Sequence, residues 1–277
     1  MRFGLSAICF ALWLPIKRQD REAQMVWKGG WELGVWLFLG FALQAVGLRF
    51  TTAQRSGVLL YLNVKFVPFF SFAIFGKSVA LSAWLSAAAA LFGTTLIIAD
   101  DAGTVAPNIG DALSIAAAAA SAMFILRLET FAPITDAQAL NAVSQLAVAV
   151  LSLSWALCEA AASMPKEDVE TSRLFAASAL VAGRVGHLFV HHFPAVFFLG
   201  IVTSAFTNLL QTIGQRSVSA TSAAVIYALD PMWCCLFAYF FLGERLGLQG
   251  LAGCGVLLSV WLFQFAGAFG AQGARRR

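Results

Sequence analysis

Apolar residues in this chain come in long runs divided by short polar breaks. Nine runs stand out: Met1–Ile16, Trp31–Leu48, Gln54–Gly76, Ala80–Ala99, Gly110–Leu128, Ala137–Cys158, Pro194–Ile213, Ala220–Leu242 and Leu246–Phe269. Most are roughly 18–24 residues long, the length at which a helix crosses a bilayer core. The sequence has none of the short alternating segments that mark a membrane barrel. The pattern predicts an all-α polytopic membrane protein with about nine transmembrane helices. One connection, Glu159–Phe193, is long. It holds the charged patch Lys166-Glu167-Asp168-Val169-Glu170 and then a semi-apolar stretch, Leu174–Val190, expected as an interfacial helix or an inserted loop.

Composition sharpens this picture. Hydrophobic residues make up 60% of the 277 and charged residues only 12%, about half the charged share of a soluble domain. The net charge of +4 comes from basic residues at the ends of apolar runs, which fits membrane topology rather than nucleic-acid binding. With nine crossings, one side collects Lys17, Arg18, Arg21, Lys28, Lys77, Arg127, Arg216 and the Arg275–Arg277 tail. The other side holds Arg2, Arg49, Arg55, Arg245 and three residues of the long loop, which count less. The first side is therefore expected to be cytoplasmic or its organellar equivalent, which leaves Met1 outside. An N-terminus on that side suggests that a helix upstream is missing from the chain. A signal peptide is disfavoured for Met1–Ile16, because no small-residue cleavage site precedes Lys17. The five cysteines (Cys9, Cys158, Cys234, Cys235, Cys254) lack metal spacing and read as small packing residues.

The chain also matches itself at an offset of 167 residues. Leu43-Gln44 meets Leu210-Gln211, Gly47 meets Gly214, Arg49 meets Arg216 and Ala53 meets Ala220. Val58, Leu62, Phe70, Gly76 and Leu81 meet Val225, Leu229, Phe237, Gly243 and Leu248. The matched units lie five runs apart, an odd number, so the copies have opposite orientation in the membrane. Inverted repeats of this kind mark secondary transporters, with solute bound near the midplane.

The stretch GQRSVSATSAAVIYALDPMWCCLFAYFFLGERLGLQGLAGCGVLLSVWLF (Gly214–Phe263) resembles the second repeat of the EamA family of the drug/metabolite transporter superfamily. Asp230-Pro231 and Leu242-Gly243-Glu244 match its pattern. GLRFTTAQRSGVLLYLNVKFVPFF (Gly47–Phe70) resembles the first repeat, and RFGLSAICFALWLP (Arg2–Pro15) resembles that family's second helix. The resemblance implies an inverted five-plus-five arrangement lacking its first helix. It divides the chain into residues 1–101, a first repeat with four of five helices, and residues 109–269, a second repeat with an interfacial insertion near 160–192. Lys77 stands where the second repeat has Glu244, so the acidic motif is kept in one repeat only.

Candidate chemistry sits at mid-span. Lys65 lies about 16 Å from either end of its run at helical rise, beyond the reach of a snorkelling lysine. Facing lipid would cost at least ~2.5–3.5 kcal/mol, so it is expected to face protein or water. Asp230 has the matching depth in its own run, and the two are expected to meet or share a wet cavity. Pro68 and Pro231 are expected to kink their helices and free the carbonyls of Val64 and Tyr227. Either the charges line a solute pathway or they form a structural ion pair. The default for intramembrane charge favours the pathway.

Asn208 and Gln211 are further pathway candidates, while Gln44 reads first as a helix bridge. Asn63, about 200° around the helix from Lys65, ranks lower. Arg49, Arg216 and Glu244-Arg245 read as helix-end anchors and caps. His187, His191 and His192 read as interfacial side chains rather than metal ligands. Ala116–Ala120 and the glycines Gly93, Gly253 and Gly255 read as close helix packing.

The sequence carries no hydrolase elbow, phosphate-binding loop or dinucleotide fingerprint, so no enzyme activity and no cofactor are expected. The expected function is secondary transport or facilitation of a small polar metabolite or drug-like solute by alternating access. The alternative is a non-transporting receptor or assembly protein that retains the fold. Expected partners are the lipid bilayer, a small-molecule solute and protons as coupling ion, with a homodimer a compatible assembly and no nucleic acid. The plasma membrane and an organelle envelope fit the sequence equally well.

Overall fold

The computed structural model describes residues 2–13, 20–76, 78–79, 81–99, 108–163, 170–227, 229–242 and 247–275. Lys77, Glu244-Arg245, the Lys17–Gln19 cluster, the 164–169 patch and Arg276-Arg277 lie outside the described residues. The described residues form helices and connecting turns, as the apolar runs predict.

Helices α1 (Arg2–Trp13) and α2 (Asp20–Gly47) come first. The third run is not one helix but two, α3 (Ala53–Leu60) and α4 (Asn63–Ala73). Then follow α5 (Leu81–Ala99), α6 (Ile109–Phe131) and α7 (Ala137–Ala162). The long connection contains a regular helix, α8 (Glu170–His191). The run Pro194–Ile213 becomes α9 (Phe193–Phe197), a π-helical segment (Phe198–Phe206) and α10 (Thr207–Gln215). The next becomes α11 (Ala220–Tyr227), α12 (Asp230–Phe237) and a second π-helical segment (Ala238–Leu242), and the last is α13 (Leu248–Arg275). Among the described residues, Glu22–Gly47, Ile109–Phe131, Ala137–Ala162 and Phe193–Gln215 are each long and apolar enough to cross a membrane as a single unit.

Helix ends recur at the repeat offset. α3 and α11 start at Ala53 and Ala220, α4 and α12 at Asn63 and Asp230, α5 and α13 at Leu81 and Leu248. The copies therefore share their breaks as well as scattered residues.

The exposed surface is rich in large apolar side chains. Val190 is 75% exposed, Phe240 71% and Phe241 80%. Such a surface is costly in water and ordinary against hydrocarbon.

The chain forms two compact units. The first comprises Met1–Phe38 and Thr130–Ser217. Within it α1 packs on α7 and on the first π segment, and α10 packs on α7. Phe10, Ala142 and Ala205 form a core cluster joined by Leu209. Gly30 and Gly34 of α2 press against α7, where an added Cβ would come within 2.5 Å of Val143 Cβ and Ala147 Cβ. Close crossings through small residues are how apolar helices gain van der Waals contact when lipid offers no hydrophobic drive.

The second unit comprises Leu39–Glu129 and Val218–Arg277. α5 and α13 pack along one another. An added Cβ on Gly93 would lie 3.0 Å from the Gly253 carbonyl oxygen and 3.1 Å from Leu257. Gly255 differs from the sequence expectation, since an added Cβ there meets nothing within 4 Å. In α6, Ala117, Ala118 and Ala120 are buried, while Ala116 is exposed and Ala119 half-buried, so only part of the Ala116–Ala120 stretch packs closely. Gly40 and Gly47 of α2 face this helix at Ser121 and Gly110.

Candidate functional site

The α3–α4 break is a tight turn inside an apolar run. Leu62 N–H donates to the Leu59 carbonyl (3.2 Å), Val64 N–H to Tyr61 (3.2 Å) and Lys65 N–H to Leu62 (3.0 Å). These bonds span three residues instead of four, the 3₁₀ geometry common where helices join. The α11–α12 break repeats the device, with Leu229 N–H donating to the Ile226 carbonyl at 3.1 Å. Each break sets a polar residue at the start of the following helix, Asn63 in one and Asp230 in the other. Lys65 follows within the first turn of α4.

The two breaks meet around one apolar cluster. Val64, beside Lys65, and Leu229, beside Asp230, are buried together with Ala87 of α5 and Leu257 of α13. Met232, Cys254, Val260 and Trp261 pack against this cluster. The ionisable neighbours of Val64 and Leu229 are themselves exposed. Among the described residues neither Lys65 nor Asp230 takes part in an ion pair. An anion at the start of α12 is favoured by the helix dipole, while a cation in the first turn of α4 is disfavoured, by tenths of a kcal/mol to about 1 kcal/mol. Asn63 is half-buried, and its Oδ1 is enclosed without a hydrogen-bond partner.

The prolines act differently in the two copies. Pro68 is buried in the interior of α4, where its ring removes a donor from the Val64 carbonyl. Pro231 is the second residue of α12, a position that has no intrahelical donor to lose. Tyr227 is the last residue of α11 and half-buried. α11 thus ends four residues before Pro231, at the carbonyl that the proline leaves without a donor.

Gln44 is half-buried near the end of α2, in the second unit. Asn208 and Gln211 lie on α10 in the first unit and are also half-buried. There a polar chain links α7 to α10. Asn141 Nδ2 donates to Thr212 Oγ1 (2.8 Å) and to the Ala137 carbonyl (2.8 Å), and Thr212 Oγ1 donates to the Asn208 carbonyl (2.8 Å). Neither Asn141 nor Thr212 is marked by sequence pattern, because the buried face of a uniformly apolar run has no periodicity to reveal it.

Arg216 anchors a turn, as its position at a helix end suggests. Its Nε donates to the Ala132 carbonyl (3.1 Å) and its Nη2 to that of Thr135 (2.7 Å), just past the end of α6. At the start of α6, buried Asp111 accepts from the Asn108 N–H (2.9 Å) and from Thr51 Oγ1 (3.0 Å). Next to it, Ser114 Oγ donates to Ser56 Oγ at 2.9 Å. Asp111 escaped the sequence reading because it sits at the border of a run, where an acidic residue reads as solvated.

Several other candidates occupy plain positions. His187, His191 and His192 are exposed at the end of α8, with the first two rings 4.3 Å apart. Cys9 and Cys254 are half-buried, and Cys158 is exposed rather than packed.

Inverted breaks in a polytopic helical chain narrow the family, and comparison decides it. The EamA-like transporter family matches residues 1–99 and 108–264. The chain belongs to that family. EamA-like proteins are multi-pass integral membrane transporters of the drug/metabolite superfamily, so this chain resides in a lipid bilayer and its partner class is a small solute. A solved crystal structure of a protein is similar in fold, with a TM-score of 0.67 at 18% identity. The match covers 94% of this chain and 85% of that one. No curated protein matches the chain.

Proposed function

We propose that this EamA-like chain moves a small polar metabolite or drug-like solute across its membrane by alternating access, as a secondary transporter or facilitator. The observation that carries the reading is the pair of helix breaks at equivalent positions of the two copies. Each presents an ionisable side chain, Lys65 or Asp230, within the first turn of the next helix. Broken helices at membrane depth are tolerated where they are enclosed by protein or line a water-filled cavity, and charge at that depth defaults to a pathway role. In this reading residues 1–101 and 109–269 are the two halves that exchange access. Lys65 and Asp230 contact solute or a coupling proton, and Asn63, Tyr227 and Gln44 supply neutral hydrogen bonds beside them.

The test is flux in liposomes reconstituted with the full chain. A panel of amino acids, sugars and organic anions should include at least one solute taken up saturably and in a protein-dependent way. Imposing and then collapsing a pH gradient tests the proton. Solute that stabilises the purified protein but never crosses the membrane would overturn transport in favour of a receptor.

A further inference from the structure

The first unit holds polar atoms that the proposed solute route does not use. Ser6 of α1 is fully buried, 0% exposed, and its Oγ has no hydrogen-bond partner. Gln145 of α7 is 1% exposed, and neither its Nε2 nor its Oε1 has a partner. A buried amide and hydroxyl left unpaired each keep their full desolvation cost, and hydrocarbon around the helices offers no relief. The neighbouring amide on the same helix, Asn141, donates from its Nδ2 to Thr212 and to the Ala137 carbonyl. Gln145, about one turn further along, has no such partners.

The two groups lie on helices that pack together. α1 packs on α7. Phe10 shares a core cluster with Ala142, and Cys9 and Phe10 line a cavity of about 170 Å³ together with Gln138. By the alternation of the apolar runs, α1 and α7 belong to the first and sixth, which sets them antiparallel. Ser6 precedes Phe10 by about one helical turn, and Gln145 follows Ala142 by about one turn. Antiparallel packing brings those two turns to one level. Both residues lie among buried neighbours: Phe3, Ala7 and Phe10 on α1, and Asn141, Ala142 and Val148 on α7.

We propose that Ser6 and Gln145 hold an internal water molecule between α1 and α7. Water suits the inventory. It accepts from Gln145 Nε2–H and donates to Gln145 Oε1 or Ser6 Oγ, giving the two or more polar partners that a buried water needs. An ion does not suit it, because an amide and a hydroxyl carry no balancing charge. An apolar occupant would leave all three atoms unpaired.

The test is a density map of the full chain in lipid nanodiscs at a resolution that shows ordered water. A peak within about 3.2 Å of both the Gln145 amide and Ser6 Oγ is expected. A map without that peak, with the two side chains bonded to each other or to backbone, overturns the proposal. Thermal melting gives an independent reading. Gln145→Leu and Ser6→Ala should each lower Tm, and the double variant should fall no further than the worse single, because both lose the same bridge. A Tm that rises in Gln145→Leu would show that the amide is unsatisfied in the native protein, and this too overturns the proposal. Should a variant fail to fold, the map of the unaltered chain decides.

Discussion

The helices spanning 53–73 and 220–242 break at equivalent residues, yet the breaks are furnished differently. In the first, an amide opens α4, a lysine follows in its first turn, and proline sits in the helix interior. In the second, a carboxylate opens α12, proline comes directly after it, and the helix then loosens into a π segment. One backbone device thus serves two chemistries. The break itself depends on the local turn, while the charge it presents is free to diverge between the copies. The two prolines stand differently to these breaks. The first break lies six residues ahead of Pro68, whereas α11 ends at Tyr227, four residues before Pro231, the position whose carbonyl a proline leaves without a donor.

The largest effects that would break this comparison come from packing that both breaks share. Gly93→Leu forces a side chain into the Gly253 carbonyl and Leu257. It should destabilise the second unit by about 1–3 kcal/mol or more, seen as early melting of the purified protein. Next come the turns that tether each copy to α6. Arg216→Ala removes two charge-assisted bonds to carbonyls and should cost about 1.5–3 kcal/mol. Asp111→Ala, at the other end of α6, leaves Thr51 and the Asn108 N–H without their acceptor and should cost a similar amount. If only one of the two matters, the turns are not equivalent supports. The smallest effect separates the prolines. Pro68→Ala restores a donor inside α4 and should change both melting temperature and flux. Pro231→Ala, at a helix start, should move stability by no more than about 0.5 kcal/mol, as measured by thermal unfolding in the same detergent.

Much of the architecture was legible in the sequence, because bilayer thickness imposes a length and the repeat imposes a register. Each of the nine apolar runs contains helix, and α5 begins within a residue of its run. The α3–α4 break was not legible. Leu59 to Leu62 is apolar throughout, and a turn that shortens three hydrogen bonds leaves no trace in hydropathy. The π segment of Phe198–Phe206 was equally hidden. Its equivalents in α2, Trp31 to Leu39, are ordinary α-helix. The wider turn is accompanied by Ser204 and Thr207 hydroxyls bonding carbonyls five residues back. α2 starts at Asp20, well before its apolar run, because exposed residues such as Glu22 and Lys28 can continue a helix beyond the hydrocarbon.

The candidate site divides the same way. Lys65 and Asp230 stood out because charge is rare at that depth. Gln145 and Ser6 did not, since only the packed fold reveals that one amide among several is enclosed without a partner. Asn63 lies about 200° around the helix from Lys65, which hides its relation to the break in the sequence. Its equivalence to Asp230 at a helix start is the more telling relation.

The central claim is that solute passes the two breaks and depends on the charges there. The most direct measurement is protein-dependent flux in liposomes, comparing the unaltered chain with Lys65→Met and Asp230→Asn at equal incorporation and equal melting temperature. The account predicts that at least one variant loses flux by tenfold or more while remaining folded. Undiminished flux in both would contradict it and leave the paired breaks as structural joints alone.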